Sequence, residues 1–390
     1  MARLFPGVAA ALLAAAAAAT PLPAQYPWVA SYYPYLLKGP NDKTALIIHW
    51  QYAQLADYDQ PFPYNGSLSI EGGANADGGR FLIGRFKGPH LVQGWRFSAE
   101  AGVEREARFG FFGLGNNGVP AGGDIDPHYD RMRRTRLFGR ADATRWLAGP
   151  LGVSVGGSFT DAAFSALPGE SRFALHCDPD NLSLLDSPLL PRDQNGVCAD
   201  DSDLLGRIAL ILDTRDNEFV PTTGVLLEAG ALAGTGGEGY SGVYGVAQGF
   251  VTPRLGTTLG LRVLARRLGE GAPVDARYTL PAWERAIELG GGPGSNRAYL
   301  NGRWAGREVV ILNAEVRQDI LDLGDYGAFT VIGFFDAIRA REDFTGESDG
   351  FRPGGGAALA VRILRSTVLS FNWAWGDDGF RFGMGTGWAF

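Results

Sequence analysis

Gly152-Val153-Ser154-Val155-Gly156 has the spacing of a hydrolase nucleophile. A serine in that role needs a sharp strand-to-helix elbow and a histidine to take its proton. Ser154 instead lies mid-run, with Ser154 and Ser158 alternating against Leu151, Val153, Val155 and Phe159. None of His49, His90, His128 and His176 can be placed beside it, so the chain reads as a non-enzyme. Gly113, Gly115 and Gly118 copy a nucleotide fingerprint without its strand–helix setting, and read as a loop with no cofactor. Aspartates 178, 180, 186, 193, 200, 201 and 203 offer oxygens to calcium, but their polar surroundings make a solvated loop the default. Arg134, Arg136 and Arg140 share one face, opposite Thr135, Leu137 and Ala141. They could line an anion path; pairing with Glu100, Glu104 and Glu106 on the neighbouring run is the favoured reading. Cys177 and Cys198 have only His176 beside them, too few ligands for a metal.

The elements that carry these residues are set by a two-residue alternation, the period of a strand's two faces. At the C-terminus Phe380, Phe382, Met384, Thr386, Trp388 and Phe390 fall on one face. Arg381, Gly383, Gly385, Gly387 and Ala389 fall on the other. Trp95, Phe97, Ala99, Ala101 and Val103 likewise oppose Arg96, Ser98, Glu100, Glu104 and Glu106. Leu259, Leu261, Val263 and Ala265 oppose Thr258, Arg262 and Arg266. The polar faces are too charged for a dry core, but suit a wet lumen with lipid on the other side. The net charge of -7 argues against nucleic acid as a partner.

Residues 1–24 read as a secretory signal: Arg3, an apolar stretch from Val8 to Ala19, then Pro21-Leu22-Pro23-Ala24. No later stretch is long and apolar enough for a spanning helix, so a membrane location requires a closed barrel. Alternating runs fall at 28–37, 44–54, 64–74, 79–88, 93–107, 129–146, 150–163, 203–214, 222–234, 240–252, 256–267, 304–320, 326–340, 353–364, 366–376 and 379–390. That pattern predicts an all-β, 16-stranded antiparallel transmembrane barrel over 25–390, monomeric and embedded in outer-membrane lipid. The long connections 108–128, 164–202 and 268–303 all fall at one end. Secretion into an oxidising space predicts a Cys177–Cys198 disulfide, worth roughly 3 kcal/mol for a loop of this size.

The run Gly290-Gly291-Gly292-Pro293-Gly294-Ser295-Asn296-Arg297-Ala298-Tyr299 precedes a strand, not the helix a phosphate loop needs. With Glu315 and Arg317 on that strand, it resembles the surface-antigen barrel of the BamA/TamA outer-membrane assembly superfamily. Three other segments carry the same resemblance. They are Asp213-Thr214-Arg215-Asp216-Asn217 with its Phe219–Gly224 continuation, Phe334-Phe335-Asp336-Ala337, and Phe112-Gly113-Leu114-Gly115-Asn116. The resemblance implies a loop folded into the barrel, with Arg297, Ala298 and Tyr299 at its tip and Arg297 meeting Asp336 and Glu315. It implies a periplasmic turn carrying Asp213, Arg215 and Asp216, outer-membrane protein clients, and an aromatic C-terminal signal in Trp388 and Phe390. The family glycines are replaced by Ala298 and Ile338, and the family's POTRA domains find no residues to occupy.

Pro34 in the first run cannot donate a ladder hydrogen bond, and Gly383, Gly385 and Gly387 thin the last. The first and last strands must pair to close a barrel, so their seam is expected to be its weakest junction. The functional expectation is assistance in inserting or translocating outer-membrane proteins or lipids in a Gram-negative-type bacterium. A passive or lid-gated channel is the alternative.

Overall fold

A computed structural model describes residues 27–390 except 39–40, 42, 58–59, 61, 119, 121–127, 185–189, 192–196, 364–366 and 387. The proposed signal 1–24 and Gly387 therefore lie outside the described residues. Sixteen strands form one sheet in chain order, each antiparallel to the next, as a nearly closed barrel. They are Trp28–Leu37 (β1), Ala45–Leu55 (β2), Tyr64–Asn75 (β3), Arg80–Val92 (β4), Trp95–Gly110 (β5), Arg131–Ala148 (β6), Leu151–Ala166 (β7), Asp201–Asp213 (β8), Gly224–Gly234 (β9), Tyr240–Arg254 (β10) and Thr257–Leu268 (β11). Glu308–Asp322 (β14), Gly327–Arg341 (β15), Arg352–Ile363 (β16), Thr367–Gly376 (β17) and Gly379–Thr386 (β18) complete the wall. Between β11 and β14 lie a short helix, Val274–Tyr278, and a separate two-stranded pair, Thr279–Leu280 (β12) with Ile287–Glu288 (β13).

The faces invert the order of a soluble protein. Leu82, Leu137, Leu210, Leu261, Phe335 and Trp375 are all about half exposed on the outside. Arg134 and Arg262 are fully buried on the inside, and Arg266 nearly so. This is the arrangement of a barrel with an apolar outer band and a polar interior. Among the described residues no helix is long and apolar enough to cross a membrane. Turns of two residues join β4 to β5, β6 to β7 and β10 to β11 at one end, whereas the longest connections sit at the other.

The last strand departs from the expected 379–390. Its ladder with β17 ends at the Leu369–Thr386 pair. Phe380 and Phe382 stay on the outer face, but Trp388 packs on the interior cluster and Phe390 is 7% exposed. The aromatic row thus divides, and its final two rings enter the lumen, where they meet the guanidinium groups of Arg262 and Arg317. The seam differs too. β1 pairs with β2 and β18 with β17, and these two strands are the edges of the sheet. β18 is only eight residues long, and the chain beyond it turns inward instead of extending the ladder toward β1.

Candidate functional site

Segment 269–307 leaves β11, packs inside the barrel and returns at β14. Its apolar side chains Tyr278, Leu280, Trp283, Leu289, Tyr299 and Trp304 are all at most 2% exposed. The glycines allow its tight path. Gly302 has φ +77°, and a Cβ there would lie 2.2 Å from the Gly110 carbonyl oxygen. Gly291 has φ +109° and the same conflict with the Leu300 carbonyl. Both positions need a residue without a side chain.

Arg297 joins this segment to the wall. Its backbone N–H and Nε donate to Asp336 Oδ2 at 3.0 and 2.8 Å, and Nη2 donates to Oδ1 at 2.8 Å. Nη1 donates to Glu315 Oε1, and the guanidinium lies 3.7 Å from the centre of the Phe334 ring. Asp336 is 0% exposed. Burial alone would push a guanidinium down, but Asp336 and Glu315 hold its proton more firmly than water does. Asn313 completes the site by donating to Asp336 Oδ1 at 2.8 Å and to the Ser295 carbonyl at 2.7 Å. Ala298 is 0% exposed, and its methyl sits where Gly354 of β16 leaves room. Tyr299 donates its hydroxyl to the Pro353 carbonyl at 2.7 Å and stacks edge-on against Trp304.

Glu315 divides its carboxylate. One oxygen meets Arg297, while the other accepts from Arg317 Nε at 2.7 Å. Arg317 then donates from Nη2 to the Phe390 carbonyl at 2.6 Å and covers the Trp388 ring at 4.7 Å. Arg262, from β11, donates to the carbonyls of Ala389 at 3.0 Å and Gly294 at 2.9 Å. The inward segment and the C-terminal residues are therefore gripped by the same set of wall side chains.

Further contacts run the length of the lumen. Trp283 donates its backbone N–H to Glu228 and its indole N–H to Thr144, and Glu284 accepts from Arg215 at 2.7 Å. Arg215 is also bidentate to Asp213, at 2.9 and 2.8 Å. Asp216 accepts the N–H groups of Thr222 and Thr223 and so shapes the same β8–β9 turn. At the long-loop end Arg266 donates to the carbonyls of Ala276, Arg277, Thr279 and Gly306, satisfying the end of the short helix. Phe112, Leu114 and Asn116 pack beside this region, with Gly115 N–H on the Ala305 carbonyl at 2.6 Å.

Arg134 and Arg136 pair with Glu106 and Glu104 across the β5–β6 ladder, and both also reach Asp275 of the inward segment. Arg140 pairs with Asp142 instead, and Glu100 with Arg85. Arg134 also pairs with Glu288; phase does not predict Asp275 or Glu288, because both sit in a segment without periodicity. Arg262 and Arg266 lie on the lumen face, as their phase predicts, but the four-residue interval between them does not indicate what they hold.

Cys177 and Cys198 are bonded to each other, with Cα atoms 5.6 Å apart. Pro34 lies opposite Ile48 on the edge strand β1, and Gly383 and Gly385 lie opposite Asn372 and Ser370 on β18. Ser154 is 0% exposed and accepts a hydrogen bond from Arg207. Among the described residues, no group of three or more metal-ligating side chains is placed to hold an ion.

No protein-family model matches the sequence, and no curated protein matches it. Among solved structures, the chain is similar to BamA from Haemophilus ducreyi lacking POTRA domains 1-3, at 11% identity and a TM-score of 0.56. That likeness covers 93% of this chain and 70% of the other. CdiB from Escherichia coli is similar at 12% identity and a TM-score of 0.56, over 94% of this chain and 62% of that one. Identities this low establish the shared barrel fold alone.

Proposed function

We propose that the protein acts in the outer membrane of a Gram-negative-type bacterium, assisting insertion or translocation of outer-membrane proteins or lipids. The observation that carries this reading is the linkage Arg297–Glu315–Arg317–Phe390, with β1 and β18 left as sheet edges. An edge strand offers unpaired N–H and C=O groups to an incoming strand. Withdrawal of the inward segment removes Arg297 from Glu315 and loosens the grip on Trp388-Ala389-Phe390 beside that edge. Segment 269–307 is then a lid, and Trp388 and Phe390 serve both as insertion signal and as part of the gate. The fold shared with BamA and CdiB barrels supports the outer-membrane assignment, as does the leader-like 1–24. The barrel works as a monomer in outer-membrane lipid.

Reconstitution into liposomes tests the proposal. Faster insertion of a second outer-membrane barrel, abolished by a cysteine cross-link between β1 and β18, is the expected result. Unaltered activity in the cross-linked protein would dispose of the gate. A lid-gated channel is the competing reading, favoured by cavities beside the inward segment that carry charged side chains. One, of 290 Å³, is lined by Arg85, Glu104, Arg136 and Arg140; another, of 150 Å³, is lined by Arg96, Arg215 and Glu284. Steady ion conductance without accelerated insertion would favour the channel.

A further inference from the structure

The outer face carries a basic cluster that the lumen network does not explain. Arg80 of β4 and Arg105 of β5 are direct cross-strand partners, and Arg105 is also paired with Thr135 of β6. Their phase is outward. Glu104 and Glu106, on either side of Arg105, point into the lumen at Arg136 and Arg134, whereas Val103, two residues away, is 49% exposed. Leu82, two residues from Arg80, is 54% exposed and lies opposite Val103. Arg133 precedes Thr135 by two residues on the same face of β6, a diagonal neighbour of Arg105 at roughly 7–8 Å.

Like charges directly opposite on one sheet face destabilise the pairing unless something of the other sign is present. None of Arg80, Arg105 and Arg133 has an acidic partner among the described residues. The Nε atoms of Arg105 and Arg133 are buried without a hydrogen-bond partner. Arg339 of β15, whose Nε is likewise unbonded, differs in having an acidic partner, Glu308 of β14 at 3.0 Å. Immediately below the cluster, toward the short-turn end, Leu82, Val103 and Leu137 form a continuous apolar row. The cluster thus stands at the rim of the apolar band, beside the long loops, where lipid headgroups meet acyl chains.

We propose that Arg80, Arg105 and Arg133 bind the phosphorylated headgroup of a membrane lipid, whose acyl chains lie on the Leu82–Val103–Leu137 row. The proposal rests on the reading that this face meets a bilayer. Guanidinium groups are suited to it, because their planar fork binds phosphate oxygens in pairs. The headgroup supplies the missing negative charge, and the row below contributes apolar contact that free phosphate lacks.

The test uses the whole barrel in nanodiscs of phosphatidylcholine, plain or doped with diphosphoryl lipid A, followed by native mass spectrometry of the ejected protein. Failure to enter plain phosphatidylcholine nanodiscs would overturn the membrane reading, independently of the site. Once in nanodiscs, the wild type is expected to retain diphosphoryl lipid A over its dephosphorylated counterpart and over phosphatidylcholine. The Arg80→Gln/Arg105→Gln double variant is expected to lose that retention roughly tenfold. Arg145→Gln, on the same outer face at the short-turn end, is expected to keep it. Equal retention of phosphorylated and dephosphorylated lipid by the wild type would overturn the proposal, whether or not the double variant folds. Unchanged retention in a folded double variant would do the same. Displacement of the lipid by millimolar inorganic phosphate would assign the cluster to free anions and also overturn it.

Discussion

Arg317 donates to the carbonyl of Phe390 at 2.6 Å, although the two residues are 73 positions apart in the chain. The bond holds Phe390 in the lumen after its strand has stopped at Thr386. Because Arg317 also binds Glu315, and Glu315 binds Arg297, the inward segment and the last residues share one carboxylate.

Replacing Arg317 by alanine removes the Phe390 hydrogen bond and the cation over the Trp388 ring, together worth about 1–3 kcal/mol. An Ala389→Cys reporter in that background should react with a soluble maleimide roughly tenfold faster than the same reporter beside intact Arg317. Equal rates would mean that Arg262 and Arg285, which donate to the Ala389 carbonyl, hold the segment without Arg317.

Arg297→Ala leaves two buried carboxylates without their shared cation, since both Asp336 and Glu315 are almost fully enclosed. Breaking a buried pair from one side costs about 3–5 kcal/mol. The lid should therefore leave the wall, raising single-barrel conductance in planar bilayers and lowering the urea midpoint. Arg297→Lys should recover little, because an ammonium cannot reproduce the bidentate contact with Asp336.

The wall was legible because lipid and lumen impose opposite chemistry on successive residues. Leu259, Leu261 and Val263 against Arg262 and Arg266 can be sorted by phase alone. The antiparallel neighbours Glu104 and Glu106 were also correct partners for Arg136 and Arg134. The end of β18 was not legible, because Trp388 and Phe390 keep the strand's phase while the backbone turns inward. What diverts them is Arg262 and Arg317, contributed by distant strands. The contacts of Arg297 with Asp336 and Glu315 were expected from the family resemblance, not from periodicity. Nothing local marked Asp275 or Glu288, because contacts of an irregular segment depend on where the barrel places its wall.

The Arg215–Glu284 pair should make the hold on this part of the inward segment depend on pH. Burial would raise the Glu284 carboxyl, but Arg215, with help from Arg96, takes it below the ordinary carboxylate range. A group whose folded pKa is depressed contributes its stability above the unfolded value, about 4.3 for glutamate, and loses it as pH falls through the folded value. Conductance should therefore rise as pH falls below about 4, and the Glu284→Gln variant should show a smaller rise in that window. A wild-type profile flat to the acid limit of barrel folding would remove Glu284 from lid retention.

Ala298 of the inward segment packs directly on Gly354 of the wall. A Cβ added at Gly354 would lie 2.5 Å from the Ala298 methyl and 2.7 Å from Asn296 Oδ1. Gly354 is also the cross-strand partner of Asp336, so the backbone that makes room for Ala298 is fixed beside the carboxylate that holds Arg297. Gly354→Ala should therefore push the lid tip off the wall, at about 1–3 kcal/mol for overpacking. The urea midpoint should fall and conductance should rise. Adding Ala298→Gly removes the closer of the two conflicts and leaves Asn296, so the double variant should recover part of the loss. A double variant no better than Gly354→Ala alone would show that the strand's loss of glycine, and not contact with the lid, is responsible.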